Sequence, residues 1–185
     1  MAEDCRIGVD VKRDGKFLIA KPNQISGFFN KSVVFIYEDG AQGTVGLTIN
    51  KPTPVDFAQM ALERGREYPS GINYLFSGGP VNSRAITMIH TDEWSSQNTL
   101  HTGHGVDLSS DELMLQKLID NNVPKQYRLM AGASVWGPQQ LSQEISRGSW
   151  LLTHLPVGVI FESQGDSQWE RCIELAGQQF VAAWF

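Results

Sequence analysis

Two stretches of the chain constrain the fold more than any other feature. Ser32-Val33-Val34-Phe35-Ile36-Tyr37 and Thr44-Val45-Gly46-Leu47-Thr48-Ile49 are β-branched and apolar, and only Glu38-Asp39-Gly40-Ala41-Gln42-Gly43 separates them. Such runs around a short polar, glycine-containing loop predict an antiparallel strand pair. A strand with one face in water alternates apolar and polar residues; these two barely alternate. The pair must therefore be covered on both faces, as the centre of a layered structure. Asn50-Lys51-Pro52 ends it, because proline supplies no ladder donor. A chain of 185 residues is long enough to build such a core.

The flanking sequence alternates strand and helix signals without regular βαβ order. Val9 and Val11 precede Asp14-Gly15, and Phe17 and Ile19 follow it, a hairpin pattern. Residues 1–15 are read as an N-terminal extension supplying one hairpin strand, and residues 16–185 as one domain. Thr53-Pro54 predicts a helix start, with Thr53 as N-cap and Pro54 in the first helical position. Strands are expected at residues 74–76 and 85–90, followed by a long polar excursion from Thr91 to Val106 that contains Trp94. Ser109 and Glu112 stand at capping-box spacing before a helix. Another strand is predicted at 127–133 and a helix opening at Trp136-Gly137-Pro138 and ending near Gly148. Strands are read at 150–153 and 157–161. Ser167 and Glu170 open a last helix, with Trp169, Cys172, Ile173 and Ala176 on one face and Gly177 as its end. The pattern implies α+β, or a mixed sheet, rather than a doubly wound fold.

Charge and composition exclude several classes. Fifteen basic and 20 acidic residues leave a net charge of −5. Nucleic-acid affinity rests on phosphate neutralisation, so direct nucleic-acid binding is not expected. No apolar run approaches the ~20 residues needed to span a bilayer, so no membrane partner is expected. The N-terminus carries no apolar signal segment, and two cysteines, Cys5 and Cys172, make no disulfide framework. The expected location is cytoplasmic.

An ordered set of short segments resembles a known bacterial family. These are Leu18-Ile19-Ala20-Lys21-Pro22, Phe29-Asn30-Lys31-Ser32-Val33-Val34, Gly46-Leu47-Thr48-Ile49-Asn50-Lys51-Pro52 and Ser77-Gly78-Gly79-Pro80-Val81. Gly132 through Trp136-Gly137-Pro138, Gln140-Leu141 and Trp150-Leu151 complete it. Order and spacing resemble the family named for YqgE and AlgH, the UPF0301 group, across residues 16–177. The chain departs from the family pattern in two places: Tyr37-Glu38-Asp39 stands for a Cys-Glu-His-like segment, and Gly132-Ala133-Ser134-Val135-Trp136 for a Gly-Tyr-Ala-Gly-Trp-like one. The resemblance implies an α+β fold of bent, coiled, mixed or antiparallel β-sheets with helices packed outside. It also implies a link to transcriptional control, and no established catalysis.

The candidate site is assembled from strand ends. Ser77-Gly78-Gly79-Pro80 follows a strand and lacks the Lys-Ser/Thr end of a P-loop. It reads either as a tight sheet-corner turn or as a turn whose backbone N–H groups meet an anion. Asn50 and Lys51 supply an amide and an ammonium beside it, and Pro52 closes the strand. With Trp136, the expected ligand site is Asn50, Lys51, Pro52, Ser77, Gly78, Gly79, Pro80 and Trp136. The expected role is regulatory and non-catalytic, through a protein partner or small anionic ligand, with no catalytic residue, cofactor or metal. The alternative is a hydrolase using the loop histidines, His90 or the His101/His104 pair, with or without a metal.

Overall fold

The computed structural model describes residues 12–22, 26–63, 65 and 74–182. Val9, Val11 and Cys5 lie outside them, so the expected first hairpin strand does too. The turn itself is described: Lys16 N–H donates to Arg13 O, and Gly15 takes φ +77°.

The two apolar runs form β2 (Val33–Gly40) and β3 (Gly43–Thr48). They pair antiparallel, Phe35 opposite Leu47 and Gly40 opposite Gly43, with a bulge between Ile36 and Glu38. β1 (Phe17–Ala20) lies on the other side of β2, and β10 (Trp150–Thr153) pairs with β1. Beyond β3 comes β9 (Tyr127–Trp136), whose last residues pair with Thr44–Gly46. Its first half pairs parallel with β5 (Tyr74–Ser77) and antiparallel with β6 (Val81–Thr91). β8 (Val106–Ser109) follows on β6, then β7 (Leu100–His101), while β4 (Pro52–Asp56) pairs with β5.

Among the described residues the result is a bent, mostly antiparallel ten-strand sheet that turns over within β9. The turn is at Gly132, φ +74°, where a Cβ would stand 2.5 Å from Gly79 O and 2.8 Å from Val81 O. Gly78 and Gly79 run against the same bend. A Cβ on Gly79 would lie 2.0 Å from the Ala133 carbonyl carbon. These glycines let three backbones meet at the fold's corner.

Coverage on both faces is complete at the centre. Phe17, Ile19, Val33, Phe35 and Leu47 point into one core with Trp169, Cys172 and Ala176 of α5 (Gly165–Ala182). Leu18, Ala20, Val34 and Ile36, the alternate residues of the same strands, point into a second core with Leu141 of α3 (Gln140–Ser146), Trp136 and Trp150. A third core joins Leu75, Met88 and Leu129 to Met114 and Leu118 of α2 (Glu112–Ile119) and to Phe57 of α1 (Phe57–Glu63). Alternation persists along these strands, but both faces are apolar because both are buried. The fold is α+β, with helices outside a curled sheet, as the sequence implies.

Several local expectations are corrected. Thr53 and Pro54 lie in β4, not at a helix start, because the Thr53 hydroxyl donates to Leu75 O across the β4–β5 pair at 2.6 Å. The helix opens at Phe57, where Asp56 accepts the Ala58 N–H at 2.9 Å. Asp111, not Ser109, caps α2 by accepting the Met114 N–H at 2.8 Å. Ser109 is buried in β8. Trp136 ends β9 rather than opening a helix. Residues 159–162 form a one-turn helix, α4, where a strand is predicted. α5 opens at Gly165, with Ser167 inside its first turn, and runs through Gly177 to Ala182. Gly148, φ +83°, follows the end of α3 as expected.

Candidate functional site

The residues predicted to form a pocket meet, but mostly as packed backbone. Asn50 is fully buried. Its Oδ1 accepts the Val33 N–H at 2.9 Å, and its Nδ2 donates to Lys31 O at 2.8 Å and Gly165 O at 3.0 Å. The amide staples the start of β2 to the start of α5 and has no donor left for a ligand. Lys51 Nζ donates to Asn30 O at 2.5 Å. Burial holds its pKa below the usual lysine range against the pull of Asp166, with nearby Lys31 lowering it further. Lys31 itself is paired with Asp166 at 2.6 Å.

Pro52 stands opposite Phe76, and the Ser77 N–H donates to Lys51 O at 2.8 Å. The Gly78 N–H, one of the expected anion donors, is given to Ala131 O at 2.8 Å. Gly78 O accepts from the Thr48 N–H at 2.8 Å and from the Ser134 hydroxyl at 3.1 Å. Of the two readings of Ser77–Pro80, the geometry is that of a sheet-corner turn. Of the eight residues, Pro80 and Trp136 line a common open space.

That space is a cleft of about 340 Å³ between α3, the end of β9 and the start of β10. Phe29, Pro80 and Val135 give it apolar walls, and Gln140 and Glu144 of α3 give it a polar side. A single 3-10 turn, Gly27–Phe29, delivers the Phe29 ring. That ring stacks on Trp136 at 5.7 Å and meets Trp150 edge-on at 5.5 Å. Trp136 and Trp150 lie edge-to-face at 6.0 Å. Both indole N–H groups donate to the same oxygen, Glu144 Oε2, Trp136 at 3.0 Å and Trp150 at 2.8 Å. Gln140 Nε2 donates to Glu144 Oε1 at 3.0 Å, and Gln140 Oε1 accepts the Gly137 N–H at 3.0 Å. Buried indoles usually find an acceptor; here two share one carboxylate.

Glu144 was not singled out from sequence, and Phe29 only as part of a family segment, not as a site residue. Gln140 and Glu144 are one helical turn apart, on the side of α3 opposite no obvious motif. Nothing in their spacing distinguishes them from an ordinary solvated helix face.

Comparison with known proteins places the chain in a family. A profile of the AlgH-like family matches residues 17–181. The chain belongs to that family. Among its relatives, a UPF0301 protein of Acidovorax sp. is 32% identical over 176 residues, covering 88% of each chain. A UPF0301 protein of Methylococcus capsulatus is 30% identical over 166 residues, covering 88% of this chain and 91% of its own. The solution structure of AlgH from Pseudomonas aeruginosa superposes with TM-score 0.75 at 25% identity, covering 91% of this chain and 89% of that one. A crystal structure of a Corynebacterium diphtheriae protein shares the fold with TM-score 0.65 at 24% identity, covering 85% and 84%.

The positions read from sequence as departures from the family pattern are now located. Tyr37 is half-buried beside the first core, and burial, with Glu38, raises its pKa. Ala133 presses its backbone on Gly79. Val135 is 44% exposed and lines the cleft.

The three histidines of the alternative reading, His90, His101 and His104, are spread along β6, β7 and the loop after it. His90 is fully buried. Its Nδ1–H donates to Thr91 O and its Nε2 accepts from the Ser109 hydroxyl, both at 3.0 Å. Its ring meets Trp94 edge-on at 5.0 Å. Trp94 is therefore packed rather than free, with its N–H donated to Asn122 and Lys117 over its ring at 5.1 Å. His101 Nδ1 lies 2.7 Å from Oδ2 of buried Asp107, while the His101 side chain is 71% exposed. His104 is 3.5 Å from Asp14. Among the described residues, no three His, Cys, Asp or Glu side chains are grouped to hold a metal. Nor is any described helix long and apolar enough to cross a membrane.

Proposed function

We propose that the protein is a non-catalytic regulator that binds a protein partner in the cleft bordered by Phe29, Pro80, Val135, Trp136, Gln140 and Glu144. The observation that supports this reading is the aromatic and carboxylate arrangement around that cleft. It is an open cleft that sets the apolar Phe29, Pro80 and Val135 beside the fixed polar groups Gln140 and Glu144, and concave sites with a few placed polar groups are where ligands and partners are held. The link to transcriptional control that the family resemblance carries fits a protein that acts by association. A small anionic ligand is the weaker occupant. The Asn50 and Gly78 donors expected to receive it are bonded within the chain, and the cleft carries a carboxylate.

The test uses the exposed Val135. A protein captured by the wild-type chain and lost with Val135→Glu, at unchanged melting temperature, is the expected result. Identical captured sets from both would reject the cleft as the binding surface.

A second reading, hydrolysis by a loop histidine, is favoured by one specific contact. Buried Asp107 orients the exposed His101 ring, the relation a general base needs. Turnover of activated esters that disappears in His101→Ala would support it. Equal background rates in both proteins would dismiss it.

A further inference from the structure

The occupant of the cleft can be specified by charge. Glu144 is half-buried, and its carboxylate has about four lone-pair sites. Two, on Oε2, take the indole N–H groups of Trp136 and Trp150, and one on Oε1 takes the Gln140 amide. All three donors are neutral. Among the described residues no lysine, arginine or histidine lies within ion-pair distance of Glu144. The nearby cations, Lys21 and Arg147, line the neighbouring groove. An anion removed partly from water and left without a cation is costly. Its remaining lone pair, on Oε1, belongs to the atom that faces Gln140 rather than the indoles.

The rest of the cleft matches the stem of a long cationic side chain. Phe29, Pro80 and Val135 supply the apolar part of its lining, and the volume of about 340 Å³ accepts one side chain rather than a folded element. Lysine and arginine lay their methylenes along apolar surface while holding the charged head at a polar group. A guanidinium adds a flat face suited to an aromatic ring such as Phe29.

We propose that the cleft receives a basic side chain, arginine or lysine, of a protein partner, with its charged head on Glu144 Oε1 and its stem against Pro80 and Val135. This rests on the cleft being the binding surface. It adds what the surface selects.

The test needs no identified partner. Trp136 and Trp150 each give an indole N–H signal in a ¹H–¹⁵N spectrum, and both protons sit on Glu144. Nα-acetyl-arginine amide or Nα-acetyl-lysine amide is expected to move both signals saturably, with a midpoint in the range of ~1–10 mM for one isolated side chain. Nα-acetyl-citrulline amide, equal to arginine in shape but uncharged, is expected to leave them in place. Raised salt is expected to weaken the shifts, and Glu144→Gln to abolish them while keeping an acceptor for both indoles. Neither basic probe shifting the signals by about 50 mM, or citrulline acting as well as arginine, overturns the proposal. Acetyl-aspartate amide moving the same signals also overturns it, while leaving the cleft a binding surface. If the basic probes fail but Val135→Glu still loses a captured protein, the cation fails and the partner-binding reading survives.

Discussion

Gly79 lies against Ala133 so closely that a methyl group on it would stand 2.0 Å from the Ala133 carbonyl carbon and 2.1 Å from its oxygen. Neither atom is a side chain that can swing away. Gly79→Ala therefore requires β9 and the turn before β6 to separate, and overpacking of this kind costs about 3 kcal/mol or more. In a chain of this size that lowers the melting temperature by roughly 6–12 °C. Gly177→Ala is the matched control. Gly177 lies inside α5 with open space around it, so alanine there is expected to stabilise by about 0.5–1 kcal/mol. Thermal unfolding of the two variants should move in opposite directions, and a neutral Gly79→Ala would remove the packing account of the corner.

The centre of the fold was legible because its signal is local. Val33 to Ile36 and Thr44 to Ile49 announce buried strands through side chains that have no other stable place. What could not be read depends on partners far away in sequence. Thr53-Pro54 carries good helix-start chemistry, yet Leu75, 22 residues on, claims the Thr53 hydroxyl. Ser109 and Glu112 have capping-box spacing, but pairing of β8 with β6 places Ser109 in a strand and hands the cap to Asp111. The candidate site divides in the same way. Proximity of Lys51-Pro52 to Ser77 follows from the β4–β5 pair, and Pro80 and Trp136 do border a cleft. The roles of Asn50 and Gly78 turn on who takes their hydrogen bonds, and Glu144 acquires meaning only when two indoles converge on it.

Asn50 tests how much the β2–α5 staple contributes. The amide of this fully buried residue makes three bonds: one accepted from Val33, and one each given to Lys31 and Gly165. Asn50→Ala leaves a buried N–H and two carbonyls without partners, each costing about 1–3 kcal/mol. A loss of about 3 kcal/mol or more in chemical denaturation, with an unchanged denaturant slope, is expected. Asn50→Asp should be at least as damaging, because it turns the donor toward two carbonyls into an acceptor. Native-like stability in either variant would mean the amide is dispensable and free for other use.

His90 gives the fold a pH dependence of definite sign. Burial holds its pKa below the ordinary 6.5, although Thr91 O and the Asp107 and Glu93 carboxylates pull it upward. In the unfolded chain His90 titrates near 6.5, so below that pH the unfolded state binds the extra proton and the folded state does not. Stability tied to His90 is therefore full above about pH 6.5 and is lost as the pH falls from there toward the depressed folded value. Melting temperatures measured from about pH 8 to about pH 5 should drop more steeply for the wild type than for His90→Gln, which keeps an acceptor for Ser109 without the titration. Parallel curves would show that the acid sensitivity lies elsewhere.

Cys172 is fully buried in the face that α5 presses on β1 and β2, among Phe17, Phe35 and Trp169. Burial, reinforced by Glu162, pushes its thiol up to about 12. At pH 8 the reactive thiolate is then on the order of one part in ten thousand, and the packed core blocks reagent access as well. The clean readout is Cys5→Ser, which leaves Cys172 as the only thiol. That variant should give almost no reaction with a thiol reagent at pH 8 when folded and one full equivalent in denaturant. The native labelling rate should also track global unfolding, slowing whenever stability is raised by Gly177→Ala. Rapid labelling of the folded variant would mean that α5 lifts from the sheet on its own, and the first core would then have to be described as two layers that open independently.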